Sequence, residues 1–220
     1  MNTENPLILA VPKGRILRDV RALLPRAGVE PESEFYNENS RRLRFSTNDP
    51  GLCLIRVRSF DSATFLAFGA AQLAICGSDV LMEFDHPEIY EPVDLNIGIC
   101  RLSIAGPREL AEKEDPRSWS HIRIATKYPN ITKKYFAGRG VQAECIKLNG
   151  AMELAPQLGL CRRIVDLVQT GSTLAANGLV EIETISQVSS RLAVNRAALK
   201  TRPDQVNMWI KRFREAAIAV

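Results

Sequence analysis

The strongest constraint on the fold is a regular alternation of short apolar runs with amphipathic stretches along nearly the whole chain. The run Leu7–Val11 has the length of a buried strand, and the apolar positions after it recur with the 3.6-residue period of a helix that ends at Gly28. This rhythm is typical of β-α units around mostly parallel sheets, so the sequence predicts an α/β protein. Further strands are predicted at Leu52–Val57, Leu73–Cys76, Val93–Ile104, Ile122–Thr126, Glu144–Leu148, Arg163–Val168, Leu179–Ile185 and Leu192–Val194.

The polar, proline-containing segment 106–121 separates two groups of β-α units and indicates two lobes. We expect the chain to pass to the second lobe near residues 95–105 and to return near 182–190. The predicted lobes are residues 1–95 with 184–220, and residues 96–183. The return leads into a terminal helix, starting near Pro203, whose apolar face is predicted at Val206, Trp209, Ile210, Phe213, Ala217 and Val220.

Composition and charge exclude several classes of protein. The chain of 220 residues is 45% hydrophobic and 25% charged, which is ordinary for a globular protein. Its net charge of +4 comes with scattered arginines, which disfavours nucleic acid as a partner. The chain has neither a secretion signal nor the roughly 20-residue apolar run of a membrane helix. Five cysteines without a C-x-x-C pair predict reduced thiols in a cytoplasm, and two isolated histidines do not predict a zinc site.

The stretch VDLVQTGSTLAANGL, residues 165–179, has the chemistry of an anion-binding turn. A strand leads into Thr170-Gly-Ser-Thr173, and a short helix follows, so free backbone amides and the helix dipole point at one place. Gly171 permits close approach of a ligand, and the hydroxyls of Thr170, Ser172 and Thr173 add donors. A Walker A loop would need a lysine after the glycine, so a phosphomonoester is the better ligand. Asp166 is then suited to ribose hydroxyls or to ligand-associated magnesium.

A simpler interpretation of the same residues is a helix start capped by Thr or Ser, and T-G-S-T alone favours that interpretation. The aspartate four residues upstream favours the phosphate site.

The wider segment 149–179 resembles the signature of the ATP phosphoribosyltransferase family. AVPKGRI (10–16), FGAAQLAICGSDVLME (68–83) and RIATKYPNITKKYF (123–136) are similar to that family as well. Cys161 stands where a smaller residue is usual. The positions of the segment that match the signature are Glu153, Gly159, Ile164, Asp166, Leu167, Thr170, Gly171, Thr173 and Leu174.

This resemblance implies two lobes around a cleft, similar to type II periplasmic binding proteins. Only 42 residues follow Gly178, which leads us to expect the family's short form. The short form is implied to be a homodimer that works in a hetero-oligomer with a regulatory subunit similar to histidyl-tRNA synthetase. The implied partners are otherwise the small molecules ATP and phosphoribosyl pyrophosphate, with no nucleic acid or membrane.

The implied reaction is attack by N1 of the ATP adenine on C1 of phosphoribosyl pyrophosphate, the first step of histidine biosynthesis, with Mg²⁺ at the departing pyrophosphate. No metal ligand is assigned on the chain itself. The 5-phosphate is assigned to Thr170–Thr173 with Leu174, and the ribose hydroxyls to Asp166 with Glu153. An exposed helix glutamate is commonplace, so a solvated surface role for Glu153 stays open.

Basic residues after strands are candidates for phosphate or pyrophosphate contacts. Arg15, Arg41 and Asp166 are the predicted catalytic residues, and Arg41 is preferred over the adjacent Arg42 although spacing cannot rank them. The residues predicted to contact ATP or pyrophosphate are Lys13, Arg15, Arg41, Arg58, Asp61 and Lys127.

Two departures from the family pattern bear on ATP binding. The family commonly has Asp-[Ile/Val]-Pro where this chain has Asp61-Ser62-Ala63, and Gln72 replaces a usual aspartate. Ser62 or Thr64 is suited to capping the local helix. The rival functions are a non-catalytic two-lobed binding protein for a phosphorylated metabolite and an inactive regulatory subunit. The absent secretion signal and the intact D-x-x-x-T-G-x-T pattern disfavour them.

Overall fold

The computed structural model describes residues 5–113 and 118–218, and it forms two compact α/β units. Unit 1 comprises residues up to Gly98 and from Ser189 onward, and unit 2 comprises Ile99–Val188. The predicted limit between residues 183 and 184 falls inside a strand that pairs along its length within unit 2, so the chain returns to unit 1 only after Val188.

Unit 1 contains a six-stranded mixed sheet in the order β2-β3-β1-β4-β11-β5. Its elements are β1 (Leu7–Pro12), α1 (Arg15–Arg26), β2 (Arg44–Ser46), β3 (Leu52–Val57), α2 (Ser59–Ala67), β4 (Leu73–Gly77), α3 (Ser78–Phe84), β5 (Ile89–Asp94), β11 (Ser190–Asn195), α8 (Arg196–Thr201) and α9 (Pro203–Ile218).

Unit 2 contains a five-stranded mixed sheet in the order β10-β6-β9-β7-β8. Its elements are β6 (Cys100–Pro107), α4 (Arg108–Lys113), β7 (His121–Thr126), α5 (Pro129–Ala137), β8 (Gln142–Lys147), α6 (Leu154–Gln157), β9 (Arg163–Val168), α7 (Ser172–Ala176) and β10 (Leu179–Val188).

Alternating side chains of β1 fill two separate cores because successive residues of a strand point to opposite faces of the sheet. Leu7, Leu9 and Val11 belong to the larger core, which also takes the buried faces of α1 and α9. Ala10 lies on the other face, in a core of mostly small residues that includes Ala63 of α2. The sheet of unit 1 is therefore covered on both faces, as an α/β architecture requires.

Parallel pairing is confined to β3-β1-β4 and β9-β7-β8, where the chain runs through successive β-α-β connections. The strands that precede or follow the two crossings, β5, β6, β10 and β11, pair antiparallel. The α/β class with mixed sheets is confirmed, and parallel pairs are a smaller share of the described pairings than the sequence predicted.

The predicted single strand Val93–Ile104 is wrong, since β5 ends at Asp94 and β6 begins at Cys100. Between them Asn96 has a left-handed backbone with φ of 53°, which interrupts an extended strand.

Strand β2, which has only three residues, was not predicted from the sequence. Of segment 106–121, the first two residues complete β6 and the next six form α4.

The terminal helix α9 packs its predicted apolar face into the larger core of unit 1. Trp209 and Phe213 are almost fully buried, and their ring centroids lie 6.4 Å apart. Val220 lies outside the described residues. None of the described helices is long and apolar enough to cross a membrane.

We expect Phe213→Ala to lower the free energy of unfolding by about 3–5 kcal/mol, because it removes a fully buried aromatic side chain and leaves a cavity. Equilibrium urea unfolding measures the change. Met208→Ala on the same helix, where the side chain is 37% exposed, serves as the control and should cost less than about 1 kcal/mol. Equal losses in the two variants would contradict the assignment of the buried face.

Candidate active site

Several predicted site residues follow the carboxyl ends of parallel strands in both units, whereas Asp166 lies within β9 and Arg41 and Glu153 lie in other loops. In unit 1, Lys13 follows β1 and Arg58 follows β3, and these two strands are parallel neighbours. In unit 2, Lys127 follows β7 and Thr170 follows β9, which are again parallel neighbours. Because parallel strands end at the same edge of a sheet, Lys13 and Arg58 lie at one edge of the first sheet, and Lys127 and Thr170 at one edge of the second, where α/β proteins place ligands.

The segment after β9 has the predicted strand, turn and helix. Gly171 occupies the position before α7 with φ of +79°, a left-handed conformation that suits glycine, and its carbonyl accepts a hydrogen bond from Ala175 N–H at 3.0 Å. The Thr170 and Ser172 hydroxyls lie 2.9 Å apart, and Thr170 Oγ1 accepts the Ser172 N–H at 3.3 Å. The turn is therefore braced by its own hydroxyls and the first helical turn.

Several donors of this turn are available to a ligand. Within the described part of the chain, the backbone N–H groups of Gly171, Thr173 and Leu174 make no hydrogen bond. The side chains of Thr170, Ser172 and Thr173 are exposed. Leu174, by contrast, is buried in the core of unit 2, so it offers only its amide. Amides at a helix start and neighbouring hydroxyls form a suitable cradle for a phosphate group.

The two predicted carboxylates lie in unit 2. Asp166 is half-buried in β9, two residues before the strand ends, and its Oδ1 accepts the Leu167 N–H at 2.8 Å. Glu153 is half-buried immediately before α6 and makes no capping hydrogen bond to that helix. Its carboxylate is thus not used as a helix cap.

An ion pair that was not predicted from the sequence supports the turn Thr170–Thr173. Arg101 on β6 donates from Nε to Glu181 at 2.6 Å and from Nη1 to the carbonyl of Gln169 at 3.1 Å. Glu181 also accepts from Ser103 Oγ at 2.7 Å and from Thr184 Oγ1 at 3.1 Å. Since Gln169 directly precedes Thr170, Arg101 holds the start of the turn against the sheet. The pairing depends on strand register, which the sequence alone does not show.

The hydrogen bonds from Arg101, supported by Ser103 and Thr184, lower the pKa of Glu181 from its ordinary value near 4.5 to about 2, against the opposing effect of burial. The carboxylate is therefore ionised throughout the neutral range.

Lys127 lies at a second junction of unit 2, between β7 and α5, and is half-buried. The neighbouring Tyr128 is 2% exposed, which assigns its ring to packing. The Tyr128 N–H donates to Thr126 Oγ1 at 2.9 Å, and that hydroxyl donates to the Val165 carbonyl on β9 at 2.8 Å. The junction that carries Lys127 is thus tied to the strand that carries Asp166.

The junction after β1 in unit 1 exposes Lys13 and Arg15. The Lys13 N–H donates to the Val57 carbonyl at 2.8 Å, and Arg15 is the first residue of α1. Gly14 between them has φ of +88° and ψ of −140°, a backbone conformation that L side chains rarely adopt. The glycine between the two cations is therefore favoured by the backbone conformation of the turn.

The structure separates the adjacent arginines that the sequence could not rank. Arg42 makes two hydrogen bonds to the Glu32 carboxylate, at 2.9 and 3.0 Å, and its guanidinium lies 5.5 Å from the Phe45 ring centroid. Arg41 is exposed, and no described residue pairs with it. Arg41 is consequently the arginine with a side chain available to a ligand.

The junction after β3 places Arg58 before α2 and Asp61 in its first turn, and both are exposed. The predicted capping by Ser62 or Thr64 is wrong because α2 already begins at Ser59. The Ser62 hydroxyl donates instead to the Ser59 carbonyl at 2.6 Å, inside the helix.

Gln72, where the family commonly has an aspartate, has a structural role in unit 1. Its Oε1 accepts the Ile8 N–H at 2.9 Å, and its Nε2 donates to the Gly69 carbonyl at 2.9 Å. The side chain amide thereby satisfies backbone groups at the start of β1 and after α2. Among the described residues, no cluster of three or more His, Cys, Asp or Glu side chains is arranged to hold a metal ion.

Comparison with known proteins identifies the family. The model of the family HisG: ATP phosphoribosyltransferase matches residues 58–215. The chain belongs to the ATP phosphoribosyltransferase family. The ATP phosphoribosyltransferase of Paramagnetospirillum magneticum is 63% identical over 98% of this chain and 99% of its own length. The enzyme of Rhodospirillum rubrum is 61% identical over 97% of this chain and 94% of its own length. The predicted family and enzyme class are confirmed.

Solved structures support the fold of this ATP phosphoribosyltransferase. The ATP phosphoribosyl transferase (HisG:HisZ) complex from Thermotoga maritima has a chain that is 32% identical, with a TM-score of 0.80 and coverage of 97% of this chain and 100% of that chain. The periplasmic aliphatic sulphonate binding protein SsuA from Escherichia coli is 13% identical, with a TM-score of 0.55 and coverage of 97% and 68%. The second likeness concerns the fold alone, and it confirms the predicted periplasmic-binding-protein type.

We expect acid to destabilise unit 2 through Glu181. Because the folded-state pKa is depressed, the stabilisation by this carboxylate is present above the ordinary pKa near 4.5 and is lost as the pH falls towards about 2. Glu181→Gln should remove this component, so unfolding of the variant should depend less on pH between about 4.5 and 2.

Urea unfolding of unit 2, followed as a function of pH, measures this effect. Glu144→Gln is a matched control, since Glu144 forms an exposed pair with Arg123 and such pairs contribute little. Identical acid dependence of wild type and Glu181→Gln would contradict the role of the Arg101–Glu181 pair.

Proposed function

We propose that the chain joins ATP, through N1 of its adenine, to 5-phosphoribosyl 1-pyrophosphate, giving N1-(5-phosphoribosyl)-ATP and pyrophosphate in the first step of histidine biosynthesis. The observation that carries the proposal is the turn Thr170–Thr173, with exposed hydroxyls and unbonded amides, in a chain 63% identical over nearly its full length to an ATP phosphoribosyltransferase. The turn supplies the donors that a 5-phosphate needs.

In unit 2, the turn binds the 5-phosphate and the carboxylates of Asp166 and Glu153 bind the ribose hydroxyls. Glycosyl transfer develops positive charge on the ribose ring, and carboxylates beside the ring stabilise that charge. Their half-buried positions strengthen this electrostatic effect compared with fully solvated side chains. A covalent nucleophile is not required, because N1 of adenine attacks C1 directly.

In unit 1, the exposed cations after β1 and β3 bind the phosphates of ATP or the departing pyrophosphate. Arg15 and Arg41 neutralise negative charge on the leaving group as the bond to C1 breaks. The planar fork of an arginine binds phosphate oxygens in a bidentate manner. Lys13 and Arg58 add phosphate contacts in unit 1, and Asp61 contacts ATP or the pyrophosphate. In unit 2, Lys127 adds a further phosphate contact.

The donor set of unit 2 fits Mg²⁺ that arrives with the substrate. Mg²⁺ prefers oxygen ligands, retains several waters and is commonly held by one or two carboxylates together with substrate phosphates. Asp166 and Glu153 provide such carboxylates without a cluster of protein ligands. When bound, the ion neutralises charge on the pyrophosphate and makes it a better leaving group.

The partner proposed for the chain is a regulatory subunit similar to histidyl-tRNA synthetase, in a hetero-oligomer built on homodimers of this short form in the cytoplasm. Support comes from the Thermotoga maritima chain, which is solved as a HisG:HisZ complex and has a TM-score of 0.80 to this chain.

The proposed reaction is tested by mixing the purified chain with ATP, phosphoribosyl pyrophosphate and Mg²⁺ and following pyrophosphate release and phosphoribosyl-ATP absorbance. We expect turnover that chelation of the metal abolishes, with the regulatory partner supplied if the chain alone is slow. Ligand-dependent stabilisation without turnover under both conditions would instead indicate a binding protein.

We expect Asp166→Ala and Thr173→Ala each to lower kcat/KM for phosphoribosyl pyrophosphate by about tenfold to a hundredfold, the loss for one charge-assisted hydrogen bond of about 1.5–3 kcal/mol. Thr201→Ala is the matched control, since Thr201 is an exposed threonine at the end of α8. Unchanged kinetics in both site variants would overturn the assignment of the 5-phosphate and ribose contacts.

A further inference from the structure

A buried arginine lies beneath the loop that carries Arg41. Arg56 is the fifth residue of β3 and is only 2% exposed, although the rest of this strand is apolar. No carboxylate pairs with Arg56 among the described residues. A buried cation without an anionic partner is costly unless its donors are satisfied in another way. Carbonyl groups around Arg56 satisfy its two terminal nitrogens, whereas its buried Nε has no hydrogen-bond partner among the described residues.

The guanidinium of Arg56 is held by carbonyl oxygens of residues 35–42. Nη1 donates to the Phe35 carbonyl at 2.9 Å and to the Asn37 carbonyl at 2.8 Å. Nη2 donates to the Ser40 carbonyl at 2.9 Å and more weakly to the Arg42 carbonyl at 3.4 Å. The segment has no regular structure after Tyr36, and its carbonyl groups are bonded by this one side chain instead of by backbone N–H groups of a helix or sheet.

The contacts of Nη2 bracket Arg41. The Ser40 carbonyl directly precedes Arg41 in the backbone, and the Arg42 carbonyl follows it one residue later. The backbone is therefore held on both sides of Arg41. The backbone N–H of Arg56 donates to the Leu43 carbonyl at 2.8 Å, which ties the end of the loop to β3. Arg42 is tied down separately by Glu32. Arg41 thus projects from a backbone held by its neighbours while its own side chain stays exposed.

An aromatic ring completes the support. The Arg56 guanidinium carbon lies 5.1 Å from the Phe45 ring centroid, and the Arg42 guanidinium carbon lies 5.5 Å from the same centroid. Both distances are in the range of cation–π attraction. Phe45 is 1% exposed, so this ring links the loop to the core of unit 1.

We propose that Arg56 is a positioning residue for the transferase reaction, acting through Arg41 by clamping the carbonyl groups of the loop around it. This inference rests on the proposed contact of Arg41 with pyrophosphate or ATP. The clamp requires a planar group with several donors at fixed angles. A lysine at this position keeps the charge but concentrates its donors at one atom and cannot span the same carbonyls.

The test compares Arg56→Lys, Arg41→Ala and the double variant in the assay of phosphoribosyl-ATP formation. Small displacements of a catalytic group can cost on the order of 100-fold in rate, so we expect Arg56→Lys to lower kcat/KM by about tenfold to a hundredfold. The double variant should match Arg41→Ala within about twofold, because Arg56 has no further effect once the group it positions is absent.

Hydrogen exchange separates positioning from general stability. Backbone amides of residues 36–43 should exchange faster in Arg56→Lys than in wild type, and Arg41→Ala should leave their exchange unchanged. Val206→Ala, a core variant on α9 that also destabilises unit 1, should retain the kcat/KM of wild type. An Arg56→Met variant that folds should show the same kinetic loss as Arg56→Lys.

The outcomes distinguish this inference from the proposed function. Absence of turnover in the wild-type chain with its partner would refute the function itself. Wild-type kinetics in Arg41→Ala would overturn the role of Arg41 and with it the positioning role. Two outcomes would overturn the positioning role alone. In the first, Arg41→Ala lowers kcat/KM but Arg56→Lys does not. In the second, the losses of kcat/KM in the two single variants multiply in the double variant.

Discussion

Parallel pairing of neighbouring strands is the constraint on which the candidate site depends. In unit 1 the pairs β3-β1 and β1-β4 bring the ends of three strands to one edge, and in unit 2 the pairs β9-β7 and β7-β8 do the same. Residues far apart in sequence, such as Lys13 and Arg58, are thereby placed beside one another without any direct bond between them. The antiparallel strands complete each sheet, and the loop before one of them, β2, carries the predicted phosphate contact Arg41.

Within this framework, backbone groups that regular structure leaves unpaired are satisfied by side chains with several donors or acceptors. Gln72 satisfies one amide and one carbonyl, and Arg101 links a carboxylate to the carbonyl before the phosphate turn. Arg56 does so for a whole loop. In low-dielectric surroundings such bonds are strong and their loss is costly, so they give irregular segments a defined shape.

The sequence predicted the parts of the fold that depend on local pattern. Strand Arg163–Val168 has the predicted bounds, and the short helix after Gly171 is present, because an apolar run and a glycine-containing turn are local signals. The interruption at Asn96 was missed, since apolar residues continue on both sides of it and the crossing between units is a tertiary feature. The three-residue strand β2 is too short for any periodicity to show.

Residue type, spacing and the family resemblance predicted the candidate contacts, which stay predictions, whereas the residues that support them were not predicted. Arg41 and Arg42 are identical in type and adjacent, and they are distinguished by the contacts of Arg42 with Glu32 and with the Phe45 ring. Arg56 carried one usable signal, a charged residue inside an otherwise apolar strand, which indicates a buried polar network. The partner of Arg101 lies 80 positions away on β10, and no local pattern reports such a distance.

The discontinuity of unit 1 has a consequence for how the chain acquires its shape during synthesis. Strand β11 lies between β4 and β5 in the sheet, and α9 packs into the larger core, so unit 1 is completed only after residues 189–218 have been translated. Unit 2 is one continuous segment and has all its strands as soon as Val188 has emerged. Unit 2 is therefore able to fold before unit 1 is completed, while β4 and β5 still lack the strand β11 that lies between them.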